Sequence, residues 1–395
     1  MKLHLLSLLC AFASAPVSAQ SLAAAHEVTL LGKASIPGDA TDLSGLTADV
    51  STFTQARLGS FGSAIEYLGK DDLYLAVDDR GPGDGSLPWR CRWQTFRISM
   101  SPGAAEPVKV DLVSTTLMSD ETGRGLNGLA SIHAGDDRTK DLRYDPEGVR
   151  VHGELVWVSD EYGPWIDGFS TNGTRVRRLD VPARFRIAVA GDTGEDEMPP
   201  TNTTGRQANR GFEGLAISPD GSTLWAILQS PLIQDGGLDA KNERIGLNVR
   251  ILEIKTKDGA MRELVYRLEK PKHGVNEIVA LNDRELLVLE RDGKAGTDTK
   301  FRSVFLIDIA EATDVSKVGT LGSRDLPAGV RPVHKRRWLD LLDPAHGLAG
   351  PAMPEKIEGL ALGPALADGR RTLVVTTDND LKTENPSWFW VFAFR

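Results

Sequence analysis

Apolar and polar positions along the 395-residue chain fall into a pattern that recurs. Its clearest copy runs Phe212-Glu213-Gly214-Leu215-Ala216-Ile217, then Ser218-Pro219-Asp220-Gly221, then Leu224-Trp225-Ala226-Ile227-Leu228 and the polar Gln229. Two apolar runs of strand length flank a Pro-Asp-Gly turn. Proline presets φ early in the turn and glycine takes the positive φ that closes it, so the stretch predicts a β-hairpin.

The same layout returns at Pro146-Glu147-Gly148-Val149, leading to Leu155-Val156-Trp157-Val158 and the polar end Ser159-Asp160-Glu161. It returns at Asn276-Glu277-Ile278-Val279-Ala280, leading to Leu286-Leu287-Val288-Leu289 and Glu290-Arg291-Asp292, and at Ile357-Glu358-Gly359-Leu360-Ala361, leading to Leu373-Val374-Val375 and Asp378-Asn379-Asp380. A weaker copy begins at Leu43-Ser44-Gly45-Leu46, with serine in place of glutamate, and ends at Asp78-Asp79. Self-similarity at intervals of tens of residues marks a repeat architecture.

Each repeat also carries an outer half. Asn172-Gly173 and Lys257-Asp258-Gly259 are hairpin turns between further strand-like runs, and Val304-Phe305-Leu306-Ile307 is another strand. Two hairpins per repeat make a four-stranded blade, hence an all-β fold with a single β-propeller. Five repeats are recognisable. Glutamates 147, 213, 277 and 358 lie 66, 64 and 81 residues apart, but Ser44 to Glu147 is 103 residues. Six blades are therefore favoured over five, with Asn127-Gly128-Leu129-Ala130 as the start of the extra unit. The 191–206 stretch reads as a long polar loop, and Trp338-Leu339-Asp340-Leu341-Leu342 as a short helix. Val28 to Leu31 is expected to pair with the final strand, Trp388 to Phe394, and so close the last blade.

Residues 1–19 combine Lys2, a short apolar run and a small-x-small end at Val17-Ser18-Ala19. They read as a signal peptide cut before Gln20, leaving one propeller domain over 20–395 and a periplasmic or secreted protein. The run is too short for a membrane span. The mature chain then keeps a single cysteine, Cys91, and has no internal disulfide. A net charge of −9 argues against nucleic acid as a partner.

On a propeller, the first strand of each blade lines the central channel, so Glu147, Glu213, Glu277 and Glu358 are expected to form a ring at one mouth. The ends of the second strands, Asp160, Glu161 and Asp378 among them, fall beside it. Crowded carboxylates raise one another's pKa unless a cation neutralises them. Oxygen-only ligands without a histidine or cysteine cluster favour calcium over magnesium or manganese, and no HExxH or CxxC spacing supports zinc. The candidate metal ligands are Glu147, Glu161, Glu213, Glu277, Glu358 and Asp378. Asp160, Glu161, Arg210 and Lys356 are the candidate catalytic groups, with the two cations placed to stabilise an anion. A glutamate at a strand start also serves as a backbone acceptor between blades, and the structural role stays open beside the functional one. Gly81 to Gly85 lacks the strand-to-helix setting of a phosphate loop. Ser170, Ser230 and Ser387 lack a GxSxG setting.

The segments Asp145-Pro146-Glu147-Gly148, Ser159-Asp160-Glu161-Tyr162-Gly163, Phe212-Glu213-Gly214-Leu215 and Lys356-Ile357-Glu358-Gly359-Leu360 resemble the phytase-like family described as "esterase-like activity of phytase". The resemblance runs from about Asp42 to the C-terminus. It implies a relative of the β-propeller alkaline phytases, which bind calcium at a channel mouth and hydrolyse phosphomonoesters. The paired-asparagine motif of those phytases has no copy here, so phytate itself is not implied. The expectation is a monomeric, calcium-dependent hydrolase of a small phosphate or carboxylate ester. A calcium-dependent lactonase and a non-catalytic propeller with structural calcium are the rival readings.

Overall fold

A computed structural model describes residues 27–133 and 142–395; the expected signal peptide lies outside them. Five four-stranded antiparallel sheets are arranged as the blades of a propeller. Their inner strands are Phe61–Tyr67, Pro146–His152, Phe212–Ile217, Gly274–Ala280 and Ile357–Gly363, in blades 1 to 5. Each packs against the next, and the fifth returns to the first.

Blade 5 is completed from the other end of the chain. Thr29–Ile36 pairs antiparallel with Ser387–Phe394, as the sequence predicts, so the sheet that ends the chain is capped by the strand that begins the described fold. The blade count is five, not the favoured six. The 103 residues between Ser44 and Glu147 hold one blade, swollen by a small hairpin at Asp49–Val50 and Phe53–Thr54 and by the long outer strands Arg92–Met100 and Val108–Leu117. The first inner strand starts at Phe61 and not at Leu43. Asn127 makes only isolated bridges, to Arg90 and Arg143, and starts no blade. Residues 338–340 belong to the strand His334–Asp340 instead of a helix, because Phe305 and its neighbours offer an unfilled sheet edge that His334–Asp340 completes.

The core lies between blades. Phe61, Phe96 and Phe389 stack where blades 1 and 5 meet, while Trp225, Ile251 and Tyr266 lie in the cluster that joins blades 2, 3 and 4. At roughly 25 cal/mol per Å2 of apolar area, these wedges supply the main drive for closure. Cys91 is buried and unpaired.

Every inner strand opens with a β-bulge. The register breaks at Phe61/Ala64, Pro146/Val149, Phe212/Gly214, Val275/Glu277 and Ile357/Gly359. A bulge re-aims a side chain at the rim of a sheet. The residues so displaced are Gly62, Glu147, Glu213, Asn276 and Glu358. Four of the five blades thus present a polar side chain at one end of the channel.

Deeper in, Arg150 of blade 2 crosses the axis. Its guanidinium donates to the carbonyls of Ile65 at 3.0 Å in blade 1 and Ile278 at 2.8 Å in blade 4, and more weakly to Leu360 at 3.4 Å in blade 5. It also pairs with Glu277 at 3.0 Å, and Glu277 accepts the Leu215 N–H of blade 3. One buried side chain and its partner therefore tie all five inner strands.

Candidate functional site

The bulges open onto a cavity of about 450 Å3 at one mouth of the channel. Its two walls carry opposite charge.

The acidic wall comes from blades 2 and 3. Glu147 and Glu213 are the bulge residues, Glu161 follows the second strand of blade 2, and Asp145 lies beside them. Oxygens of Asp145, Glu147 and Glu161 fall within 4.8 Å of one another. Glu161 accepts the Gly211 N–H at 3.1 Å, and Asp145 accepts both the backbone and the guanidinium of Arg80, at 2.8 and 3.0 Å. Glu147 has no hydrogen-bond donor among the described residues. Burial, then the neighbouring Glu213 and Asp145, hold its carboxyl well above the usual range. Glu213 is raised likewise by burial and by Glu161 and Glu358. Burial also pushes Asp145 up to about 8, against the pull of Arg80. These carboxyls lack enough positive charge to stay ionised together.

Two amides complete this wall. Gln229 and Asn276 each donate to Glu213 Oε1, the second at 2.9 Å. Their carbonyl oxygens, Gln229 Oε1 and Asn276 Oδ1, are buried and have no partner. A buried acceptor left unmatched costs about 1–3 kcal/mol. Carboxylates that resist ionisation beside unmatched amide oxygens form a set of hard oxygen donors, which fits a calcium ion with its six to eight oxygen ligands. Glu147, Glu161, Glu213, Gln229 and Asn276 are the residues that would hold it.

A second acidic group, Asp79, Asp378 and Asp380, already holds a protein cation, although its carboxylates outnumber the lysines against them. Lys356 Nζ lies 3.2, 2.7 and 2.5 Å from their carboxylates. Burial opposes the lysine's charge, but Asp378, Asp79, Glu358 and Asp380 outweigh it and keep the ammonium protonated.

The basic wall comes from blades 3 and 4 and the loop between Leu238 and Leu247. Arg291 donates to Glu358 at 2.6 Å. Arg210 and Arg244 have no carboxylate or carbonyl partner for their guanidinia among the described residues, although both line the cavity. Burial lowers the pKa of Arg210. Burial, together with the nearby Arg210 and Arg291, brings Arg244 down to about 10. Half-buried arginines that make no direct ion pair with the carboxylates around them, Glu161 and Glu213 for Arg210 and Glu243 for Arg244, make an anion site.

Of the residues expected from sequence, Glu147, Glu161, Glu213, Glu358, Arg210 and Lys356 line this cavity. Asp378 stands behind Lys356, in the adjoining pocket. Asp160 and Glu277 are not at the mouth. Asp160 is fully buried and accepts the N–H groups of Asp145, Tyr162 and Gly163 at 2.8, 3.3 and 2.6 Å, which fixes the turn that carries Glu161. Glu277 occupies the position of Gly148, Gly214 and Gly359, one residue past the bulge, and points to Arg150 instead. Its place in the ring belongs to Asn276. Aligning the repeats on the apolar residue before the bulge, Pro146, Phe212, Val275 and Ile357, would have found Asn276. Arg244 sits in a loop with no repeat signal.

A family model described as "Phytase-like: Esterase-like activity of phytase" matches residues 56–381, a span that contains the inner strands of all five blades. The chain belongs to the phytase-like family. A curated relative from Arthroderma benhamiae, described as an "uncharacterized secreted protein", is 26% identical over 83% of this chain and 78% of its own length. Among solved structures, Myxococcus xanthus glutaminyl cyclase is 12% identical, covering 93% of this chain and 97% of its own, with a TM-score of 0.37. A gluconolactonase from Xanthomonas campestris is 10% identical over 95% and 99%, also with a TM-score of 0.37. Both likenesses are too loose to bear on the chemistry of this phytase-like chain. None of its described helices is long and apolar enough to cross a membrane.

Proposed function

We propose that this phytase-like protein is an exported, calcium-dependent hydrolase of anionic esters, phosphate esters foremost. The observation that carries the reading is the pairing, within one cavity, of a carboxylate–amide cluster short of positive charge with two arginines that form no direct ion pair with it. A bound calcium supplies polarisation of the ester oxygen and a lowered pKa for a coordinated water.

The chain's own groups do the rest. Arg210 and Arg244 grip the anionic group and stabilise charge that develops on it. Bare carboxylates would repel that group, so in the absence of metal only the arginines attract it. Glu147, whose oxygens meet no protein donor, would be ionised by a cation bound in this wall and would then have an oxygen to take the proton of an attacking water. Lys356 lines the cavity, but the three aspartates that hold it offset its charge, so the arginines carry more of the anion binding. The secreted description of the fungal relative and the N-terminal sequence support export.

The test is hydrolysis of paired chromogenic phosphate and acetate esters by chelator-treated mature protein, with and without calcium. Turnover restored by calcium and lost in Glu213→Gln is the expected result. A melting temperature raised by calcium with no turnover of either ester would leave a binding propeller with structural metal. No response to calcium in either measurement refutes the metal reading.

A further inference from the structure

The charged cavity continues sideways. A second hollow of about 540 Å3 shares Arg80, Gly83, Asp84 and Asn209 with it and lies between blade 2 and the 191–198 loop. Its surface is of a different kind. Ala130, Tyr162, Met198 and Ala208 line it, with glycine backbone between them.

Most charged residues around this hollow are engaged with one another, while Glu195 stands exposed at its rim. Arg143 donates to Glu197 at 2.9 Å, and Glu197 also takes Arg206 at 2.7 Å. Asp192 lies 3.1 Å from His133, and the Asp84 carboxylate is turned out to solvent. What remains facing the hollow is mostly carbon.

The wall is also rigid. Tyr162 donates to the Gly128 carbonyl at 2.9 Å, and its ring lies between the guanidinia of Arg80 and Arg143, 5.6 and 4.5 Å from their carbons. Gly85 packs so closely that a Cβ there would fall 2.1 Å from the Tyr162 hydroxyl, and its φ of +77° favours glycine in any case. On the other side, Met198 Sδ accepts the Ala208 N–H at 3.3 Å. A preformed apolar recess opening off a cavity built for charge has the shape of a site for a two-part ligand.

We propose that this recess is a subsite for the alcohol portion of the substrate, and that the esters this protein takes join an anionic acid group to a bulky apolar, preferably flat, alcohol. The proposal rests on the hydrolase reading for the word substrate, but the recess is tested by binding alone. With the anion against Arg210 and Arg244, the shared strip at Gly83 and Asn209 is where the alcohol passes from one hollow to the other.

Two non-hydrolysable probes, methylphosphonate and 1-naphthylmethylphosphonate, separate the parts. Calorimetry on the calcium-loaded mature protein should find the naphthyl compound bound about tenfold tighter or more, since a buried aromatic ring gains well over 1.4 kcal/mol. Ala208→Phe, which fills the recess, and Met198→Asp, which charges it, should each bring the ratio to within twofold. Their melting temperatures verify that both variants fold. Equal affinity of the two probes for the wild type, no binding of either, or a ratio unchanged in both folded variants would overturn the proposal. Turnover of 1-naphthyl phosphate and glycerol phosphate is measured beside it. Naphthyl preference in binding without turnover sinks the hydrolase reading and leaves the subsite standing. Turnover of both esters with equal kcat/KM does the reverse.

Discussion

Arg244 should make the protein less stable and more capable. Its side chain is half-buried, and burial with the nearby Arg210 and Arg291 lowers its pKa from 12.5 to about 10, which Glu243 offsets only in part. For a base whose folded pKa is depressed, the charged form is disfavoured in the fold at every pH below the folded value. A shift of this size corresponds to at most about 3.4 kcal/mol. Water over the exposed part of the side chain screens this to roughly 1–2 kcal/mol. Arg244→Met keeps the packing of the stem and removes the charge. Its melting temperature in anion-free buffer should therefore rise by a few degrees. The same change should remove one charge-assisted contact to a bound anion, worth about 1.5–3 kcal/mol, or about 10- to 150-fold in affinity. Thermal scans against increasing inorganic phosphate read both quantities, because a ligand raises stability in proportion to the logarithm of its concentration over Kd. Wild type should gain stability with phosphate, whereas Arg244→Met should start higher and gain little. A variant that starts lower than wild type, or gains as much from phosphate, would refute the reading of Arg244 as an incompletely compensated anion anchor.

Arg150→Met should be among the most damaging single changes in the chain. It leaves Glu277 without its cation and three inner-strand carbonyls without their donor, a loss of about 3–5 kcal/mol, read as the shift in urea midpoint by tryptophan fluorescence; a shift under 1 kcal/mol would show that the axis is not where the blades are tied. Stability of the chelated protein should fall as pH rises. Burial pushes Glu66 up to about 7 and Glu277 up to about 8, so the folded state keeps protons that the unfolded chain has released, from pH 4.5 to about 7 at Glu66 and to about 8 at Glu277, and within its window each carboxyl contributes a loss of up to about 1.4 kcal/mol per pH unit. Urea midpoints at pH 5, 6.5 and 8 measure this, and a flat or rising trend would contradict the buried carboxyls.

Much of this was legible in the repeats. Alternation of apolar runs with Pro-Asp-Gly and Asn-Gly turns is local information, and it placed the hairpins of blades 2 to 5 and the closing strand. Blade 1 was misjudged because its bulge residue is Gly62, where the other repeats carry a side chain, so the signal that aligned them was missing. The short segment at Trp338 was misread because a strand at a blade's outer edge has one polar face and irregular spacing. In the site, glutamates that open the repeats were found where the bulge residue is acidic. Glu277 misled because the apparent match to its neighbours is offset by one residue, and one residue in a strand turns a side chain to the opposite face. Asp160 belonged to the right turn but serves its backbone. Arg244 and the Tyr162 recess come from loops brought together only by the closed ring, and nothing periodic announces them.

The tie at Arg150 also governs traffic. A channel crossed by a buried guanidinium is a cul-de-sac: what enters at the bulge end does not pass out at the far end. Two products of one turnover would then queue. On the proposed hydrolase reading, the alcohol would leave through the side recess, while the acid would stay lodged between the arginines and the acidic wall until exchanged. The free acid should thus be the last to depart, and at high concentration it should compete with incoming ester for the same vestibule.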